Sequence, residues 1–243
     1  MGWRYAEKVG SPPKHTSRRL VVEGHDDRMS VLGLARHRLQ WPDPGPVLID
    51  LGGGAEEILE SAYLTTLLKT RELKIAGIMF DADSSPEKRY RAICKVCSEF
   101  FPNLPGNMPT TGLIVQNAEG KRFGVWIMPD NSSKGDLELF LRYLIPEASE
   151  PVWKYAEECV ENAKRAGAPY TDSQVRKANL YTWLAWQEPP GQSPGTAITK
   201  KILDPNANMA TDFINWFRDL YELQNTRQED GINEIPANPE RTD

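Results

Sequence analysis

The chain has 243 residues, 40% hydrophobic and 26% charged, and its 34 acids against 29 lysines and arginines leave a net charge of −5. That length suits one large domain, or one domain with an appendage, and is enough to bury a substantial core. The acidic balance excludes nucleic-acid binding through bulk charge but leaves room for a local basic patch. No apolar run approaches the roughly 18 to 20 residues needed to cross a bilayer, and "MGWRYAEKVG" lacks the charged-then-apolar build of a secretory signal, so a soluble, cytoplasmic protein with no membrane partner is expected.

Residues 1–17 read as an N-terminal extension. Lys14, His15, Arg18 and Arg19 form one candidate basic patch around its end. "RRLVVEGHDD" (18–27) then carries the continuous apolar and β-branched run of a strand covered on both faces, ending in Glu23, a glycine and two more acids. "DDRMSVLGLARHRLQ" fits a helix starting near Asp26, and residues 46–53 a short second strand. Residues 54–70 read as one strong helix with Ile58, Leu59, Ala62, Leu64, Leu67 and Leu68 on a face. "KIAGIMFDAD" (74–83) is a third strand, apolar until it meets Asp81 and Asp83.

A helix follows over residues 86–101. It places Cys94 and Cys97 at i and i+3, as core residues, and Cys159 stands alone with no second pair for a zinc site. "TGLIVQN", "AEGK" and "RFGVWIMPD" read as a hairpin, and residues 136–145 as a helix. Beyond about residue 147 the pattern is helical over 151–167, 172–187 and 209–224, with a Pro/Gly-rich loop at 188–208 and a polar tail from residue 226 expected to be disordered. The β-α-β-α-β order predicts an α/β fold with a mainly parallel sheet, an inserted hairpin and a helical C-terminal part packed on the 18–146 core, because its tryptophans need burial.

The chemistry is expected at the acidic strand ends. In an extended segment residues two apart face the same side, so Asp81 and Asp83 can converge on one cation, and carboxylates suit Mg²⁺ or Mn²⁺. The competing reading is that such acids cap helices, as Asp26 or Asp27 would. Asp130 to Gly135 can likewise be read as a polar turn leading into a helix, with Asp136 near its N-terminus. Tyr181, Trp183, Trp186, Trp216 and Phe217 fit either base stacking or, at their helical spacing, a core. Lys164, Arg165, Arg176 and Lys177 form a second basic patch.

Glu23-Gly24 ending one apolar strand and "DAD" ending a later one resemble the TOPRIM domain of topoisomerases, bacterial primases and the overcoming-lysogenization-defect (OLD) nucleases. More specifically, "VEGHDD", "FDADSS", "GVWIMPDNSSKGDLELFL" and "KANLYTWLAWQEPPGQSPGTAI" resemble a small stand-alone bacterial TOPRIM family, over roughly residues 18 to 220. The resemblance implies a Rossmann-like fold and assigns Glu23 as metal ligand or general acid/base, with Asp81 and Asp83 holding divalent metal. Asp27 stands where OLD nucleases carry a second acid. Glu138 is the implied further ligand, with Asp130 and Asp136 behind it. Lys177 is the implied catalytic cation, with Lys200 in reserve.

The function so implied is a metal-dependent nuclease of DNA or RNA, structured RNA included, in antiphage defence. The alternative is a catalytically quiet TOPRIM scaffold that binds a partner protein or nucleic acid. Strand passage needs a tyrosine module for which the chain has no room, and priming a zinc module that is not visible. No GxxxxGK[ST] loop occurs, so an ATPase partner of the OLD kind would be a separate protein.

Overall fold

The computed structural model describes residues 17–225, Ser61 excepted. Lys14 and His15, nearly all of the expected N-terminal extension and the expected tail lie outside the described residues.

Five strands form one sheet: β1 (Arg18–Val22), β2 (Leu48–Leu51), β3 (Ile75–Asp81), β4 (Leu113–Gln116) and β5 (Arg122–Met128). Their order is β2-β1-β3-β5-β4, parallel throughout except for the antiparallel β4–β5 hairpin. The expected parallel α/β sheet with an added hairpin is therefore present.

Strand alternation explains the unbroken apolar runs. Leu20, Val22, Met79, Trp126 and Met128 enter one core, while Val21, Ala76, Ile78, Phe80, Phe123, Val125 and Ile127 enter another on the opposite face. With both faces covered, no position along a central strand can be polar without a partner. The second core is closed by α2 (Ala55–Glu60), α3 (Tyr63–Lys69) and α4 (Pro86–Cys97). The first is closed by α1 (His25–Arg38), α5 (Leu137–Arg142), α6 (Glu150–Arg165), α7 (Val175–Ala185), α8 (Pro194–Thr199) and α9 (Asn208–Tyr221).

Two elements differ from the sequence reading. The single helix expected over 54–70 is two helices, with Ala62 at φ −64°, ψ 11° between them. The apolar periodicity carries across the break because Ile58, Leu64, Leu67 and Leu68 all bury in the same core. The loop expected over 188–208 contains α8, whose Pro194, Gly195, Ala197 and Ile198 are buried. Six residues are too few to show a helical period, and α8 starts on a proline. It packs on α1 through glycine: a Cβ on Gly195 would lie 2.5 Å from the Met29 carbonyl oxygen, and one on Gly33 would lie 2.9 Å from that of Gly195.

The aromatics divide. Trp183, Trp216 and Phe217 are in the core, whereas Tyr181 and Trp186 are 38% and 45% exposed. Cys97 is also core, and burial pushes its thiol up to about 12, opposite to what a nucleophilic or metal-binding thiolate needs.

Helix α9 lies on a flat patch of the sheet. Gly77 of β3 and Gly124 of β5 are register partners, and a Cβ on either would strike Tyr221 or Leu220. The Tyr221 hydroxyl passes over Gly77 and donates to the Arg19 carbonyl at 2.6 Å. Gly124→Val is therefore expected to lower stability by about 1–3 kcal/mol through overpacking. Gly106→Ala, where a Cβ meets nothing within 4 Å, should stay within about 0.5 kcal/mol of the parent. Urea unfolding of both variants checks this, and a Gly124→Val protein as stable as the parent would refute the close approach.

Candidate functional site

From β1 the chain runs outward to β2 and then returns across β1 to β3, so the strand order reverses between β1 and β3. In open α/β sheets this reversal leaves a crevice beyond the strands' C-terminal ends. Glu23 follows β1 at that edge, and Asp81 ends β3.

Alternation then decides where each acid points. Glu23 shares the parity of Val21 and turns toward α2: its Oε2 accepts the N–H of Ala55 at 3.2 Å, and its Oε1 accepts the N–H of Asp81 at 2.8 Å. One carboxylate thus ties the end of β1 to the start of α2 and the end of β3. Burial raises its pKa against the lowering effect of those two amides. Asp81 shares the parity of Met79 and turns toward α5, where its Oδ1 accepts the N–H of Leu137 at 2.9 Å.

The remaining acids come from two helix starts. Asp27, in the first turn of α1, accepts the N–H of Gly24 at 3.0 Å, which is the capping role considered for it. Asp136 caps α5 by accepting the N–H of Leu139 at 3.0 Å. Glu138 stands in the first turn of α5, its side chain 13% exposed. Burial is the largest influence on Asp81, and the charges of Asp27, Glu23, Asp136 and Glu138 add to it, pushing its pKa up to about 9. Burial, followed by Glu23 and Glu138 among other influences, pushes Asp27 up to about 7. These shifts place the acids within mutual electrostatic reach.

Helix α7 supplies the counter-charge. Lys177 Nζ lies 3.3 Å from Glu138 Oε1 and 3.7 Å from Asp26 Oδ2. Partial burial opposes the lysine's charge, but Glu138, Asp26 and Asp27 outweigh it and raise its pKa. Arg176 Nε meets both oxygens of Asp136 at 2.7 and 2.9 Å. Tyr181, one turn from Lys177, donates to Asp26 Oδ2 at 2.6 Å. The helical C-terminal part therefore lines the crevice.

Asp83 and Asp130 have other partners. At Asp83 the chain leaves the extended conformation assumed for the pair with Asp81: φ is 51°, and its N–H bonds to the Gly135 carbonyl. Its carboxylate, 66% exposed, pairs with Arg89 at 2.6 Å, and Arg89 Nε also binds the Asp81 carbonyl at 2.9 Å. The spacing rule fails because it presumes a strand that has already ended. Asp130 follows the polar-turn reading, accepting from the backbone and hydroxyl groups of Ser132 and Ser133. Although partial burial works the other way, those hydrogen bonds lower its pKa. Lys200 is exposed at the end of α8. Of the second basic patch, Lys164 pairs with Asp172 and Arg165 with Glu161, separately from Arg176 and Lys177.

Arg89 and the Arg176–Asp136 contact were not legible as site features. The first depends on the turn at Asp83, and the second on how α7 packs against α5.

The donor set consists of hard carboxylate oxygens. Among the described residues no three acid, histidine or cysteine side chains form a ready cation cage. Such a set fits Mg²⁺ or Mn²⁺, which takes one or two carboxylates and keeps much of its water.

A family model described as "Protein of unknown function (DUF3226)" matches residues 17–222. The chain belongs to the DUF3226 family. No curated protein and no solved structure matches it. The DUF3226 match spans β1 through α9, and so includes every crevice acid and both α7 cations.

Crowding of this kind predicts a pH dependence. Folding raises Asp27 and Asp81 above their usual value, so from about pH 4 to about pH 9 the folded state holds protons that the unfolded chain has released. Stability from these groups is complete below about pH 4 and falls as pH rises through about 7 for Asp27 and about 9 for Asp81. Asp81→Asn keeps an oxygen for the Leu137 amide and removes the charge. In metal-free buffer near pH 9 it should be more stable than the parent by about 1–2 kcal/mol, since a tenfold change in proton affinity corresponds to about 1.4 kcal/mol. The gap should close near pH 4–5. Urea titrations at both pH values check this, and a pH-independent difference would count against the crowding.

Proposed function

We propose that this DUF3226 protein is a divalent-metal-dependent nuclease that hydrolyses phosphodiester bonds of DNA or RNA at a TOPRIM-type acidic site. The observation that carries this reading is the set of buried carboxylates held by backbone amides at the β1/β3 switch point, where burial first, and mutual repulsion after it, raise Asp27 and Asp81. Such an arrangement opposes folding on its own, and a hard cation relieves it.

Asp81, with either Asp27 or Glu138, would hold Mg²⁺ or Mn²⁺ through one or two carboxylates, water completing the shell. When bound, the metal would polarise the phosphodiester and lower the pKa of a water. Glu23 uses an oxygen on each of two amides and so positions Asp81 rather than surrounding the ion. Lys177, on the solvent side of Glu138 and Asp26, meets charge that develops on the phosphate. Asp83, committed to Arg89, anchors the turn beside the site. Three unpaired cysteines agree with a cytoplasmic setting. The OLD resemblance extends the proposal to antiphage defence beside a separate ATPase.

A second reading, a quiet scaffold that binds nucleic acid or a partner protein, draws on the same Lys177: its charge is already taken up by Glu138 and Asp26.

Calorimetry with Mg²⁺ and Mn²⁺, alongside cleavage of supercoiled plasmid and total RNA, separates the two. The nuclease reading expects metal binding and cleavage in the parent, both lost in Asp81→Ala, with a cleavage rate lowered at least about a hundredfold. Lys177→Met should bind metal normally and cleave slowly. Metal binding without cleavage of either substrate would favour the scaffold. Absence of both from the parent would refute the metal site.

A further inference from the structure

The opposite edge of the sheet carries the opposite charge. Where β3 and β5 begin, Lys69, Arg71, Lys74 and Lys121 line a cavity of about 530 Å³ together with Phe100, and Glu119 is the acid on its wall. β3 runs seven residues from this end to Asp81, about 20 Å at strand rise. The cavity is therefore separate from the acidic crevice.

Two of its features are built in. Lys121, at the end of the hairpin turn, donates to the carbonyls of Leu68 and Thr70, which holds the turn against the end of α3 and fixes one wall. Lys69 Nζ stands 6.0 Å from the centre of the Phe100 ring, so an aromatic face and a cation meet inside the cavity. Lys69, Arg71 and Lys74 form no ion pair among the described residues. In a chain whose acids outnumber its bases, a cluster of cations without carboxylate partners is a local reversal of the field and a focus for anions.

We propose that this cavity binds a nucleoside phosphate, with the base laid against Phe100 and the phosphates held by Lys69, Arg71 and Lys74. Its volume lies within the range of small-molecule sites, about 300–1,000 Å³. An aromatic wall beside cations matches a ligand with a planar face and an anionic tail. A polynucleotide is disfavoured, because exposed Glu72, Glu99 and Glu119 neighbour the cavity's lysines and Phe100 in the chain and interrupt a positive track. The distance from the crevice makes this a nucleotide site distinct from the one proposed for phosphodiester cleavage.

Calorimetric titration with ADP in EDTA tests the site without metal. The parent should bind ADP at least about tenfold more tightly than pyrophosphate or adenosine alone. Arg71→Glu/Lys74→Glu, two exposed positions whose change leaves the core intact, should lose at least about tenfold in ADP affinity. Asp81→Asn should bind ADP as the parent does, which separates this site from the crevice. The proposal is overturned if the parent shows no ADP binding at millimolar concentration, or if the double variant retains parental affinity. Tighter binding of a 12-nucleotide single strand than of ADP would overturn it in favour of a polynucleotide surface.

Discussion

Burial of mutually repelling carboxyl groups that the backbone holds in place is the constraint on which the rest of the site depends. Glu23 cannot swing away from Asp81, because its two oxygens are occupied by the amides of Ala55 and Asp81. Asp81 is fixed in turn by the Leu137 amide, and Asp27 by that of Gly24. Each hydrogen bond is local and favourable, yet together they gather carboxyl groups where water is scarce and their ionisation is opposed. Arg176 and Lys177 offset part of it from α7, which makes the C-terminal helices electrostatic partners of the sheet as well as its cover.

Much of this is legible in the sequence, for a definite reason. A parallel strand covered on both faces tolerates no unpaired polar residue, so the first acid after an apolar run marks the strand's C-terminal end. That rule alone places Glu23 and Asp81. It fails one step later, at Asp83, since the positive φ there depends on a backbone bond to Gly135, more than fifty residues away in the chain. The same limit hides α8, whose six residues are helical because Gly195 lets them settle against Met29 and Gly33. Local pattern also leaves Asp130 and Glu138 as rivals. Their difference lies in the serines: Ser132 and Ser133 satisfy Asp130 within its own turn, while Glu138 has no such neighbours and faces Lys177.

The distribution of charge follows from the strand direction. The acids gather where β1 and β3 end, whereas Lys69, Lys74 and Lys121 gather where β3 and β5 begin. A modest net charge therefore conceals a polarised molecule, in which the two sheet edges present unlike fields to approaching ions.

The paired glycines under α9 also govern the order in which the protein can be made. Gly77 and Gly124 leave a bare strip of sheet that Leu220 and Tyr221 cover, and the Tyr221 hydroxyl closes on Arg19 across 202 positions of chain. During synthesis every crevice acid leaves the ribosome well before that cover does. The nascent sheet must then wait with that strip uncovered, and long-range closure of this kind is slow and prone to self-association. Expression at reduced temperature, or with a chaperone that shields apolar surface, acts on this interval rather than on the finished fold.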